Sequence, residues 1–143
     1  MGESIGVGSI LKSWWFFLCL VGFAWADIEI RKGGSSWASI HSSGDIRVGG
    51  LTVGQVGKDG EVRKGGSSVG QIRVDGEIRK GGSAYGSIKH DGELRVGGSG
   101  VGQIRSDGEI RKGGSSWGQA RGMNGFDDMR KVTAALVFFS GDF

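Results

Sequence analysis

A 16-residue unit repeats six times in tandem, with copies beginning at Ile28, Gly44, Gly60, Gly76, Gly92 and Gly108 and no insertion between them. A chain with so short a period must build its fold from one small supersecondary unit set beside copies of itself. The third copy reads GEVRKGGSSVGQIRVD. Position 2 is acidic in every copy (Glu29, Asp45, Glu61, Glu77, Glu93, Glu109), and position 4 is always arginine (Arg31, Arg47, Arg63, Arg79, Arg95, Arg111). Position 3, between them, is always aliphatic (Ile30, Ile46, Val62, Ile78, Leu94, Ile110). Polar, apolar, polar is the period-2 pattern of a strand with one buried face.

Two turn signals punctuate each copy. The glycine pair at positions 6 and 7, such as Gly65 and Gly66, suits a two-residue primed turn, in which both central residues take positive φ. A regular ladder from that turn sets position 3 opposite position 10, so that Ile78 faces Tyr85 and Ile110 faces Trp117. At the junction between copies, Val74, Asp75 and Gly76 suit a three-residue loop ending in a left-handed glycine. That loop pairs position 13 with position 3 of the next copy, Ile72 with Ile78 and Ile104 with Ile110. On the other face it sets position 14 against the next acidic residue: Arg73 meets Glu77, Lys89 meets Glu93 and Arg105 meets Glu109. Opposite charges across a ladder are favourable, so both faces agree on one register. Positions 10 and 13 differ in parity and share a face only across a bulge; position 11, glycine in every copy except Ala38, is where a bulge is expected.

These signals predict an all-β fold: a closed antiparallel barrel of six β-hairpin repeats, twelve short strands in a meander. Tight primed turns return the chain within one sheet, which disfavours a stacked β-roll, and closure removes the two exposed edges of an open meander. Side chains alone fill a barrel of roughly eight strands, so a wider one needs a plug. The segment from Phe126 to Phe143 (FDDMRKVTAALVFFSGDF) suits a central helix, with Asp127 and Asp128 in its first turn and an apolar run from Val132 to Phe139, although its β-branched and aromatic residues also fit a strand. The chain thus divides into an apolar N-terminal segment (1–26), a hairpin barrel (27–124) and an apolar C-terminal segment (125–143).

Composition bears on what lies outside the repeat. The 31 glycines among 143 residues would suggest low complexity if they did not recur at fixed offsets. Cys19, the single cysteine, has no intrachain disulfide partner. The stretch from Ile10 to Ala26 (ILKSWWFFLCLVGFAWA) ends in Ala24, Trp25 and Ala26, the layout of a secretory signal peptide. It reads equally as a membrane anchor or as an apolar part of the fold competing for the lumen, which leaves the location of the chain between membrane-associated and secreted.

The repeated unit GEIRKGGSSVGQI, arrayed as hairpins beside an apolar terminal segment, resembles the short hairpin repeats of the bacterial β-flower proteins over Asp27 to Asn124. The likeness rests on glycine spacing and on Ile78, Gly82, Gly86 and Ile88 with their equivalents. It implies hairpins arranged as petals of a shallow barrel, comparable to the Tubby-type barrel with its buried apolar helix. Tubby-type barrels bind phosphoinositide membranes; no residue motif for that binding is found in this sequence.

The repeat disperses the groups that chemistry would need to converge. His41 and His90 occupy positions 14 and 15 of different copies, as strand-end residues rather than a metal or catalytic pair. In RKGGSS the lysine precedes the glycines, which is not the order of a phosphate-binding loop, and Gly102 stands in GGSGVG where a calcium β-roll needs an aspartate. No cofactor, metal or nucleic acid is expected, and oligomeric state is left open. The acidic and arginine rows at positions 2 and 4 read as a mutually neutralised solvent face. Residues 27–124 carry 15 Lys/Arg against 11 Asp/Glu, and Lys32, Lys64, Lys80 and Lys112 all sit at position 5 beside the glycine turn. A closed barrel gathers those four lysines at one rim, where an anionic lipid membrane could dock. The expected function is a non-enzymatic binding or structural module, membrane-associated through its apolar ends and lysine rim; the alternative is a secreted or surface structural or interaction repeat protein.

Overall fold

The computed structural model describes residues 27–143, so Ile10–Ala26 and its alternative roles lie outside the described residues. Twelve antiparallel strands form a closed barrel in which each pairs with its sequence neighbours and the first pairs with the last. The six hairpins are β1–β2 (Ile28–Lys32, Ser35–Ile40), β3–β4 (Asp45–Val48, Leu51–Val56), β5–β6 (Glu61–Lys64, Ser67–Ile72), β7–β8 (Glu77–Lys80, Ser83–Ile88), β9–β10 (Glu93–Val96, Ser99–Ile104) and β11–β12 (Glu109–Lys112, Ser115–Arg121). Closure rests on four residue pairs between β1 and β12, from Glu29 opposite Arg121 to Lys32 opposite Gly118.

Both turn types form as their residues dictate. Gly81 and Gly82 take φ of 59° and 88°, the positive pair of a primed turn. At the other end Gly76 takes φ 98°, and its N–H donates to the Arg73 carbonyl at 2.8 Å. The Asp75 carboxylate accepts the Glu77 N–H at 3.0 Å, and Asp59, Asp91 and Asp107 repeat this contact. The aspartate before each of these glycines thus closes its loop through its own side chain.

The junction register is as expected: Ile72 lies opposite Ile78 and Val56 opposite Val62. The hairpin register differs by one residue. Ile78 faces Gly86 rather than Tyr85, and Ile110 faces Gly118 rather than Trp117. The ladder runs regularly from the turn through Arg79 opposite Ala84 and then shifts, so Tyr85 itself is the extra, bulged residue. The position-11 glycine has a different task. A Cβ on Gly70 would stand 2.3 Å from the Arg79 carbonyl of the next hairpin and 2.6 Å from the Phe138 ring, so the wall and its filling meet where a side chain is missing.

The aliphatic residues at positions 3 and 13 line the inside, with Ile30, Ile46, Ile72, Ile78, Leu94, Ile104 and Ile110 fully buried. The C-terminal segment packs against this wall. It forms helix α1 (Gly125–Ala135) and continues as a wider π-helical turn over Leu136–Ser140, ending at Gly141 with φ 76°. Val132, Thr133, Ala134, Ala135 and Leu136 are all fully buried, so one helix fills the lumen that twelve strands leave open. Asp127 and Asp128 occupy the first turn, and the Asp128 carboxylate accepts the Asn124 N–H at 2.8 Å.

Candidate functional site: a lysine-bearing mouth

All six glycine turns open on one end of the barrel, and strand parity decides what faces the opening. Position 3 points inward and position 4 outward, so position 5 points inward again, next to the turn. Lys32, Lys64, Lys80 and Lys112 are accordingly collected at one mouth and exposed, with Val48 and Val96 at the two remaining places. Each lies over an aromatic ring. Lys64 Nζ is 5.5 Å from the Phe139 ring centre, Lys80 is 4.7 Å from Tyr85 and 5.8 Å from Phe138, and Lys112 is 5.8 Å from Phe143. Lys32 sits 5.5 Å from Trp117. Ammonium groups over ring faces are attracted by the ring quadrupole, which holds them above the plug rather than splayed into solvent.

Beneath them the end of the chain is pinned by side chains from opposite parts of the wall. The Asp142 carboxylate accepts from Trp117 Nε1 at 2.9 Å and pairs with Lys32 Nζ at 2.8 Å. The Lys32 hydrogen bond and, after it, the Trp117 hydrogen bond hold the Asp142 carboxyl below its ordinary range. Tyr85 donates its hydroxyl to the Phe143 carbonyl at 3.1 Å. Trp117 also makes edge contacts with Trp37 and Phe143 at 5.8 and 5.5 Å. The aromatic residues of the C-terminal run are committed to the lumen: Phe138 is buried, and Phe139 and Phe143 are half-buried. The mouth therefore presents cations over a covered apolar floor, with Lys32 alone of the four paired to a carboxylate among the described residues.

The outer charge rows are tied to the architecture. Each position-4 arginine except Arg47 pairs with the glutamate two residues before it, from 3.5 Å in the first copy to 3.1 Å in the sixth. The same guanidinium donates to the second glycine carbonyl of its own turn, at 2.6 Å from Arg63 to Gly66 and from Arg79 to Gly82. The glutamates of the later copies also take the position-14 cation expected of them: Arg73 to Glu77 at 3.5 Å, Lys89 to Glu93 at 3.3 Å and Arg105 to Glu109 at 3.5 Å.

The two histidines stand in loops six strands apart. His41 Nδ1 is 3.1 Å from Asp27, and His90 stacks on Phe126 with ring centres 3.9 Å apart. Among the described residues no group of three His, Cys, Asp or Glu side chains is placed to hold a metal, and no helix is long and apolar enough to cross a membrane. Sequence reasoning had gathered the four lysines but missed the rings they cover, the Asp142 clasp and the buried Arg130. Parity from Ile30 to Lys32 carried the signal for the first of these. The others depend on how the C-terminal segment sits in the lumen, which no local pattern encodes.

No protein-family model, curated protein or solved structure matches the chain.

Proposed function

We propose that the chain is a non-enzymatic module, akin in architecture to the β-flower hairpin arrays, whose lysine-bearing mouth docks on a polyanionic surface, foremost the headgroups of an anionic membrane. The observation that carries this reading is the delivery of Lys32, Lys64, Lys80 and Lys112 to one exposed rim. The five strand glutamates on the barrel's outer face have cationic partners, whereas three of these four lysines carry no carboxylate among the described residues. Each cation close to an anionic surface contributes about 1 kcal/mol, so a rim of this size supports reversible, salt-sensitive attachment at headgroup level. The plug aromatics, which fill the lumen, are not required to insert. A non-enzymatic role is favoured because every charged row repeats for an architectural reason and the two histidines stand in separate loops.

Co-sedimentation of the full chain with vesicles of phosphatidylcholine and phosphatidylserine at low ionic strength tests the reading. Binding should fall as salt is raised and should drop strongly when all four rim lysines become glutamine. Lys32→Gln alone should matter least, because Asp142 already neutralises that residue. Binding that ignores both salt and the four substitutions would favour the alternative, a structural or interaction repeat with no membrane role.

A further inference from the structure

At the opposite end of the barrel, where the aspartate–glycine loops open, lies a pocket of about 200 Å³ lined by Val56, Gly57, Lys58, Gly60, Ile72, Asp127, Arg130 and Lys131. Organic ligands usually occupy roughly 300–1,000 Å³, so this space suits something smaller. Its charge is lopsided, with three cations and one carboxylate. Arg130 dominates it. The residue is 6% exposed, an unusual depth for a guanidinium, and two of its three nitrogens are engaged. Nη2 donates to the Ile72 carbonyl at 2.6 Å, and Nη1 to Asp127 Oδ1 at 3.3 Å. Nε is shielded from solvent and has no hydrogen-bond partner among the described residues.

A structural clamp between helix and wall would need only the bond to Ile72. It leaves unexplained a buried donor without an acceptor, which ordinarily costs on the order of 1–3 kcal/mol. The guanidinium lines the pocket, and Nη2 still has a second hydrogen to give to an oxyanion. Gly60 lets the wall approach the guanidinium closely, since a Cβ there would lie 1.9 Å from the Ile72 carbonyl and 2.6 Å from Nη2. Lys58 has no carboxylate partner among the described residues, and Lys131 reaches Asp128 only at 3.8 Å. The Asp127 carboxylate, in contrast, has a side chain 84% exposed, so it covers the guanidinium loosely and can swing away.

We propose that this pocket is a site for a tetrahedral oxyanion of the phosphate type. Arg130 anchors the anion, Lys58 and Lys131 flank it, and Asp127 is the internal carboxylate it displaces. The site is independent of the lysine mouth, which lies at the other end of the strands, and stands or falls separately from the membrane reading.

Titration of the full chain with inorganic phosphate at low ionic strength, followed by calorimetry, tests it. Saturable binding at one site is expected, weakened roughly two- to fivefold by Lys58→Gln and again by Lys131→Gln, as partly exposed cations warrant. Asp127→Asn should tighten binding by a similar factor, a gain that loss of a merely structural ion pair would not produce. Because Arg130 also supports the fold, these surface variants carry the test. The variant with all four rim lysines changed to glutamine should titrate like the parent. In that background, vesicles of phosphatidic acid separate the sources: retention that is lost in Lys58→Gln/Lys131→Gln assigns the site to a lipid headgroup, and phosphate binding without retention assigns it to a soluble phosphate. Absence of saturation, indifference to Lys58 and Lys131, or no gain from Asp127→Asn overturns the proposal.

Discussion

The roles of individual residues separate most clearly among the glycines. Gly81 and Gly82 sit in open space, and only their positive φ requires them, whereas Gly70 and Gly118 are required by proximity to a neighbouring strand. The two demands were indistinguishable in the sequence, where both appear as a glycine recurring at a fixed offset. Ala38 occupies the position-11 place in the first copy and is buried there, so the wall accepts a methyl group at that place. At Gly70 the Arg79 carbonyl and Phe138 both stand in the way, and Gly70→Ala should destabilise the barrel by about 1–3 kcal/mol in chemical denaturation. An unchanged midpoint would mean that the plug does not reach the wall there. Asp142 permits a second test. Its carboxyl is held below the ordinary value by Lys32 and Trp117, so its stabilising effect is complete above the usual carboxylate pKa of about 3.9 and fades as pH falls through the lowered value. Melting temperatures of the parent and of Asp142→Asn should differ by a constant amount from neutral pH down to that range and converge below it. A difference that shows no dependence on pH would place Asp142 free in solution.

Among the elements, the short strand, the turns and the junction pairing were legible because each depends on residues close in sequence. Ile72 opposite Ile78 follows from a three-residue loop whose chemistry is visible in Val74, Asp75 and Gly76. The hairpin register slipped by one for an equally local reason: the bulge falls on the variable position 10, where Tyr85 and Trp117 can reach the plug end, and leaves glycine opposite the inward isoleucine. A register argument based on apolar pairing could not detect this, because it rewards placing Tyr85 against Ile78. The helix was legible as an apolar run with acidic residues at its start, but its β-branched and aromatic residues left strand open, and the widened turn from Leu136 had no advance sign. Burial resolves the choice, since Val132 and Leu136 have no exposed surface and the helix alone saturates the backbone groups of a chain segment lying inside a barrel. Leu136→Ala should therefore lower stability by about 2–5 kcal/mol, the range for emptying a fully buried leucine site. A change of a few tenths, measured by urea unfolding, would place the helix outside the lumen.

For the molecule as a whole, the repeat makes the two ends of the barrel chemically different. The glycine-turn end carries lysines because position 5 shares the inward parity of position 3. The aspartate-loop end carries the start of the helix and the Arg130 pocket, neither of which belongs to the repeat. The lysine rim belongs to the repeat and the helix to the non-repeating segment, and repeated cations specify no particular partner, which is why the sequence was more informative about architecture than about partners. The lysine mouth and the enclosed helix both depend on closure, the joining of β1 to β12 through Glu29, Ile30, Arg31 and Lys32. In a closed barrel neither strand is an edge, so their amides belong to the same cooperative unit as interior strands. Amide hydrogen exchange on the full chain addresses this directly. Ladder amides of β1 and β12 should exchange as slowly as those of β6 and β7, whereas rapid exchange confined to β1 and β12 would show an open meander and contradict closure.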